Sequence, residues 1–339
     1  MAVIGRLKRL FARPEAARPT ARMARVPVHM HWFDGTTLPI PDWQRMQQEV
    51  AQEVAQDIDD ADAHVFWTSA AHAWLQALNA ALGEHYGIHE SQDFLLLSNL
   101  QARPAEVFLA TCQRTLARIN RSLGALAVEG GHGKYVVMVF DDPDDYYTYI
   151  GHYYPDEGEY AMSSGMFIQA GYGHFVMPLE NIDAMEPVIA HELTHCLLQH
   201  LPIPAWLNEG LAVNTEYTLF PHLAAPGAQM YFPHEIAAQH AAYWDAVSIQ
   251  TFWSGKSFLA VDEGNRLSYD LARKITALAA NDEPAFRAFV AAAQRDDAGL
   301  AAEARLGYPV GNLVQAVLGE GDWEPRPDAW REGTERGQF

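Results

Sequence analysis

Two histidines four residues apart flank a glutamate in the run His191-Glu192-Leu193-Thr194-His195, and another carboxylate, Glu209, follows in Trp206-Leu207-Asn208-Glu209-Gly210. Residues four apart share one face of a helix, so both imidazoles can be aimed at a single tetrahedral cation. Glu192 lies one position round the helix, beside that ion, where it can take a proton from a water whose acidity the metal raises. The chemistry such a set supports is metal-assisted hydrolysis.

The five-residue pattern alone occurs by chance, so its surroundings decide. From residue 188 to 198 the only acidic or basic side chain besides the two histidines is Glu192. So apolar a helix is a buried one, and a buried carboxylate needs a partner, which a cation provides. Pro202 and Pro204 cannot continue that helix, and Pro204 suits the first turn of a second one. Thirteen residues separate His195 from Glu209. That is enough for a turn and an antiparallel return that sets Glu209 opposite the imidazoles. Two imidazoles and one carboxylate leave a fourth position open to water, the ligand set of a catalytic zinc ion. The expected metal ligands are His191, His195 and Glu209, around one Zn2+, with Glu192 as the catalytic base.

With these residues the chain resembles the gluzincin zinc metallopeptidases, the thermolysin-like or peptidase-MA-like clan, in which His-Glu-x-x-His is followed by a glutamate on a second helix. The run Asn208-Glu209-Gly210 adds to the likeness, which covers roughly residues 91–293 and is most specific over 188–216. The resemblance implies a zinc-dependent peptidase in which His191, His195 and Glu209 hold the zinc and Glu192 serves as general base and acid. It also implies that the hairpin before the motif helix is an edge strand that pairs with an extended peptide substrate. Thermolysin itself has an aspartate four residues beyond the third ligand, supporting a histidine; Val213 stands there in this chain. Asn214 or Glu216 could take that part, and Glu216 lies seven residues from Glu209 on the same helical face. A tyrosine or histidine that stabilises the oxyanion is implied as well. Tyr217, His240, Tyr243 and Tyr269 are the candidates. Tyr269, at a helix start downstream of the ligands, is taken as the catalytic one, by likeness to the tyrosine-led helix of peptidase-MA-like proteins.

Two other readings stand beside this one. His191 and His195 could be core histidines satisfied by backbone, with Glu192 in a buried ion pair. Alternatively, the chain could be a catalytically silent, zinc-binding gluzincin-like module that holds a protein partner. Zinc content together with chelator-sensitive cleavage of peptides separates the three.

Helices and short strands surround the motif. Residues 43–86 are helical in character, with Met46, Val50, Val54 and Ile58 at four-residue steps. Phe94-Leu95-Leu96-Leu97 is short enough for a buried strand, and Pro104 opens a helix to about Leu123. The run from Lys134 to Phe140 is β-branched and aromatic, as interior strands are. Asp142 before Pro143 marks a helix start. The cluster Asp141, Asp142, Asp144 and Asp145 lacks the ligand spacing and turn glycine of a calcium loop, so capping is its expected use. Residues 165–170 and 174–177 flank Gly171-Tyr172-Gly173 as a β-hairpin. Further helices are expected over 237–243, 269–280 and 284–293.

The expected fold class is α+β: a zincin-like catalytic core with a small mixed sheet, an edge hairpin, the His-Glu-x-x-His helix and a following glutamate helix, plus additional N-terminal and C-terminal helices. The chain divides into a basic arm (1–27), a mostly helical region (28–90), a zincin-like metallopeptidase domain (91–320) and a flexible tail (321–339).

Composition narrows the partners. At 339 residues and 49% hydrophobic content, the chain can bury a sizeable core. Its formal charge is −20, yet seven of its 23 basic residues fall in the first 25 positions, leaving a body with 16 basic and 42 acidic residues, a formal −26. Such a body repels nucleic acid, and its long-range field also works against acidic substrates. The expected partner is a peptide or protein substrate, with no nucleic acid. In the arm, Val3, Ile4, Leu7, Leu10 and Phe11 are interleaved with Arg6, Lys8 and Arg9 at helical spacing. A helix of that kind can contact an anionic membrane surface, although a solvated terminus is the plainer reading. The arm lacks the apolar core of a secretory signal, and no stretch reaches the ~20 apolar residues needed to cross a bilayer. Cys112 and Cys196 are the only cysteines, too few for a disulfide framework. A cytoplasmic location is the resulting expectation, and the oligomeric state stays open.

Overall fold

Strand residues that alternate between two apolar faces build the centre of the protein. The computed structural model describes residues 28–53, 60–154, 164–224 and 230–331. In it β1 (Gly87–Glu90), β2 (Phe94–Ser98), β3 (Tyr135–Phe140), β4 (Met166–Ile168) and β5 (His174–Pro178) form one mixed sheet in the order β1-β2-β3-β5-β4. β2, β3 and β5 run parallel, while β1 is antiparallel to β2 and β4 to β5. Phe94, Leu96, Val137, Val139, Phe175 and Met177 pack into the core on one face. Leu95, Leu97, Val136, Met138, Phe140 and Val176 pack into a second core on the other. Because both faces are covered, β2 and β3 read as unbroken apolar runs rather than as alternating ones.

The second face is covered by α1 (Trp43–Glu53), α2 (Asp60–Leu82) and, after α3 (Ala102–Leu123), by α4 (Pro143–Tyr153). The first is covered by α3, α5 (Ile182–Leu198) and α6 (Ala205–Leu219). Beyond them lie α7 (Pro233–Tyr243), α8 (Ile249–Trp253), α9 (Glu263–Ala279), α10 (Glu283–Val290), α11 (Gly311–Leu318) and α12 (Asp328–Arg331). The architecture is the α+β one expected, with a small mixed sheet, an edge hairpin and the two zinc-motif helices side by side.

Several boundaries move, each for a physical reason. The division expected between residues 90 and 91 falls inside the β1–β2 hairpin, where Glu90 pairs with Leu95. Gly87-Ile88-His89-Glu90 has no strand signature of its own and becomes one only by pairing. α3 begins at Ala102, so Pro104 sits in its first turn, where a missing N–H costs nothing. The Asp142 carboxylate accepts from the Asp144 N–H at 2.8 Å, with Pro143 opening α4, so the acidic cluster does cap a helix. The tail is not loose from residue 321 onward. Trp323 is packed in the core, and its carbonyl accepts from the Trp253 indole N–H at 2.8 Å. A charged, proline-containing composition masks the anchoring effect of one tryptophan. Residues 332–339 and the basic arm lie outside the described residues. Both cysteines are buried and unpaired. Among the described residues no helix is long and apolar enough to cross a membrane.

Candidate metal centre

The motif helix is longer than its apolar run suggests. α5 starts at Ile182, where the Asn181 side chain accepts from the Ala184 N–H at 2.9 Å, and Pro187 lies within it. A proline reads as a helix breaker in sequence, yet this one is accommodated upstream of the motif. Pro204 caps α6 in an extended conformation (φ −61°, ψ 151°), one residue before the helix rather than in its first turn.

α6 is held in place by α9. A Cβ on Gly210 would meet Thr276 Oγ1 at 2.1 Å and the Ala272 carbonyl at 2.6 Å, so the helices touch directly one residue after Glu209. Asn214 ties them further, its amide donating to the carbonyls of Gly210 (2.7 Å) and Arg273 (2.8 Å). Gly210→Ala is therefore expected to destabilise the fold by about 1–3 kcal/mol, as overpacking of a tight contact does. Urea denaturation measures this, and an unchanged midpoint would show that α9 yields freely.

The two helices bring His191, His195 and Glu209 together. Nε2 of His191 is 3.2 Å and Nε2 of His195 is 3.4 Å from the same Glu209 oxygen, Oε2. Among the described residues this is the one group of three or more His, Cys, Asp or Glu side chains placed to share an ion. A zinc ion with bonds of ~2.0–2.1 Å in tetrahedral geometry spaces its ligand atoms by roughly 3.3 Å. The two separations in the structure, 3.2 and 3.4 Å, bracket that value.

Charge gives a second test of fit. Glu216 Oε1 is 2.5 Å from His191 Nδ1, so the carboxylate accepts the Nδ1 proton and the remaining nitrogen faces Glu209. A lone pair aimed at a carboxylate at that distance is repulsive unless a cation lies between them. Without metal the cation is a proton. Burial pulls the His191 pKa down, but Glu209 and Glu216 outweigh it and hold it well above the usual imidazole value. His195 is raised in the same way, its burial outweighed by Glu209. Burial pushes Glu209 up, yet His195 and His191 outweigh it and hold that carboxyl well below its usual range. The carboxylates thus favour positive charge on the imidazole pair. His195 Nδ1 and Asn208 Oδ1 are both buried with no hydrogen-bond partner among the described residues, and both residues line one cavity.

Glu216, rather than Asn214, hydrogen-bonds the His191 imidazole. Glu216→Ala is expected to weaken zinc binding by about 10- to 100-fold, the usual loss when a ligand's outer hydrogen-bond partner is removed. Competition with a colorimetric chelator measures it, and an unchanged affinity would make the contact incidental.

Glu192 is buried beside the triad, and its Oε2 accepts from the Phe167 backbone N–H at 2.7 Å. β4 is an edge strand, and Phe167 directs this N–H away from β5 toward the motif helix. The sheet edge therefore orients Glu192. Burial raises its pKa against the opposing pull of His191 and His195.

Of the four oxyanion candidates, only Tyr269 stands at this centre. Its ring centroid is 6.4 Å from that of His191, and it packs edge-on against Phe258. Burial, reinforced by Glu209, Glu192 and Glu216, holds its hydroxyl far above the usual tyrosine pKa, so it remains a donor. It is the seventh residue of α9, not its first, because Asp262 caps that helix on the Gly264 N–H. Tyr217 lies under the Arg273 guanidinium, Tyr243 donates to Asp262, and His240 is bonded to Asp270 (2.7 Å) and Trp244 (3.0 Å).

A cavity of about 430 Å³ opens on Glu192, His195 and Glu209 and is also lined by Tyr153, Tyr154 and Arg295. Sequence reasoning misses these last three, since no spacing links them to the motif. A larger cavity of about 870 Å³ shares Phe167, Gln169 and Gln199 with the first, so the cleft continues along β4. No family model matches the chain, and no curated protein matches it.

Proposed function

We propose that the protein is a zinc-dependent peptidase of the gluzincin kind. One observation carries this reading: His191, His195 and Glu209 converge beside a cavity that is lined by Glu192, His195 and Glu209 and by Phe167 of the edge strand β4. The triad would hold one zinc ion, which when bound supplies a Lewis acid that polarises a carbonyl and acidifies water. β4 is the edge strand on the side of the cleft, and an extended peptide would lie along it next to the Phe167 N–H that Glu192 holds. Glu192, oriented by the Phe167 N–H, takes the proton of the attacking water at its carboxylate and returns it to the departing amine. Glu216 keeps His191 in the orientation that directs Nε2 at the ion site. The Tyr269 hydroxyl is the donor for the oxygen that becomes negative as the carbonyl is attacked.

The test is cleavage of a diverse peptide pool by the zinc-loaded full chain, read by mass spectrometry. Cleavage that a chelator abolishes and zinc restores is expected. Cleavage indifferent to the chelator, or zinc binding without any cleavage, would contradict the reading; the second outcome describes a silent zinc-binding module.

A further inference from the structure

We infer that Arg295 is a carboxylate anchor in the metal-centre cleft, and that the substrates carry a carboxylate close to the bond that is cut. The inference deepens the peptidase reading and rests on it for the meaning of the cleft. Among the described residues Arg295 is the only lysine or arginine that lines the cavity, whose other titratable walls include Glu192, His195 and Glu209. Its guanidinium makes no hydrogen bond or ion pair with any described residue. The nearby acid Asp297 is committed elsewhere, accepting from the backbone N–H groups of Gly299 (2.8 Å) and Ala301 (2.9 Å).

The turn that carries Arg295 is built, not loose. Ala298 is the one non-glycine residue with positive φ among the described residues (57°), and Gly299 follows at φ 88°. Ala298 is fully buried, and its carbonyl accepts from the Trp206 indole N–H at 3.1 Å. Trp206 is three residues before Glu209 on α6, so one hydrogen bond fixes the arginine's turn to the helix that carries the third ligand. A guanidinium presents paired N–H donors that match a carboxylate bidentately. In a chain of formal charge −20, a cation left without a partner among the described residues at the reaction cavity supplies the local attraction that the overall field denies to an anionic substrate.

A peptide has two sources of that carboxylate, its C-terminus and an Asp or Glu side chain. The test uses the zinc-loaded full chain with short peptide pools made as C-terminal acids and as amides, each with Asp and Glu present or replaced by Asn and Gln. Binding is measured in the Glu192→Gln background, and cleavage in the wild type. Carboxylate-bearing pools are expected to bind and to be cleaved about 10- to 100-fold better than their neutral counterparts, the range of a charged hydrogen-bonded pair. Arg295→Gln should collapse that ratio, and Arg295→Lys should restore part of it. Dependence on the free acid with cuts near the C-terminus identifies the terminal carboxylate; dependence on Asp or Glu in the amide pools identifies the side chain. Equal treatment of charged and neutral pools, or a ratio that survives Arg295→Gln, overturns the inference. Pools that bind through Arg295 but are never cut would leave the anchor standing and overturn only the peptidase reading.

Discussion

Replacing Glu192 by glutamine is expected to lower the rate of peptide cleavage by about 100- to 10,000-fold, the range for loss of a general base, while zinc stays bound. Glutamine keeps the shape of the side chain, and its amide oxygen can still accept from the Phe167 N–H that holds Glu192 in place. What it cannot do is accept a proton from water or return one to a leaving amine. The fall should lie in kcat, since Glu192 is not among the ligands that converge on the ion site. Steady-state kinetics on a cleaved peptide, with zinc content measured on the same sample, gives the answer. Undiminished kcat would remove Glu192 from the chemistry.

Glu209→Ala is expected to cost more zinc affinity than the ~10- to 100-fold that follows loss of a partner outside the ligand set. Glu209 is the only anion among the ligands, and its Oε2 faces both imidazoles at 3.2 and 3.4 Å. Its loss leaves two imidazoles to bind a divalent cation in a buried site, with Glu216 the nearest remaining counter-charge on His191. Zinc at 100 times its Kd stabilises a protein by about 2.7 kcal/mol. The wild type should therefore melt at higher temperature with zinc than without it, and the variant should not. Equal zinc-induced shifts in both proteins would place the ion elsewhere.

How much of this is legible in the sequence depends on how local each feature is. His191 and His195 are legible because a spacing of four fixes a shared helical face whatever surrounds it. Glu209 is legible through Pro202 and Pro204, which force the chain to end one helix and start another. The choice between Asn214 and Glu216 is not, since it depends on the rotation of α6. The contact of Gly210 with α9 sets that rotation and turns Asn214 toward the Arg273 carbonyl. β1 becomes a strand only by pairing with β2, and the buried Trp323 depends on Trp253, 70 residues away in sequence. Arg295 is the extreme case. It reaches the cavity on a turn that is fixed by a hydrogen bond to Trp206, and no pattern of residue types announces that.

The zinc content of the full chain after metal repletion and exhaustive dialysis tests the central claim most directly. The wild type and Glu192→Gln should each retain one zinc ion per chain, and Glu209→Ala should retain none. A wild-type protein that binds no zinc, or a Glu209→Ala variant that binds as much as the wild type, would contradict the assignment of His191, His195 and Glu209 as the metal centre.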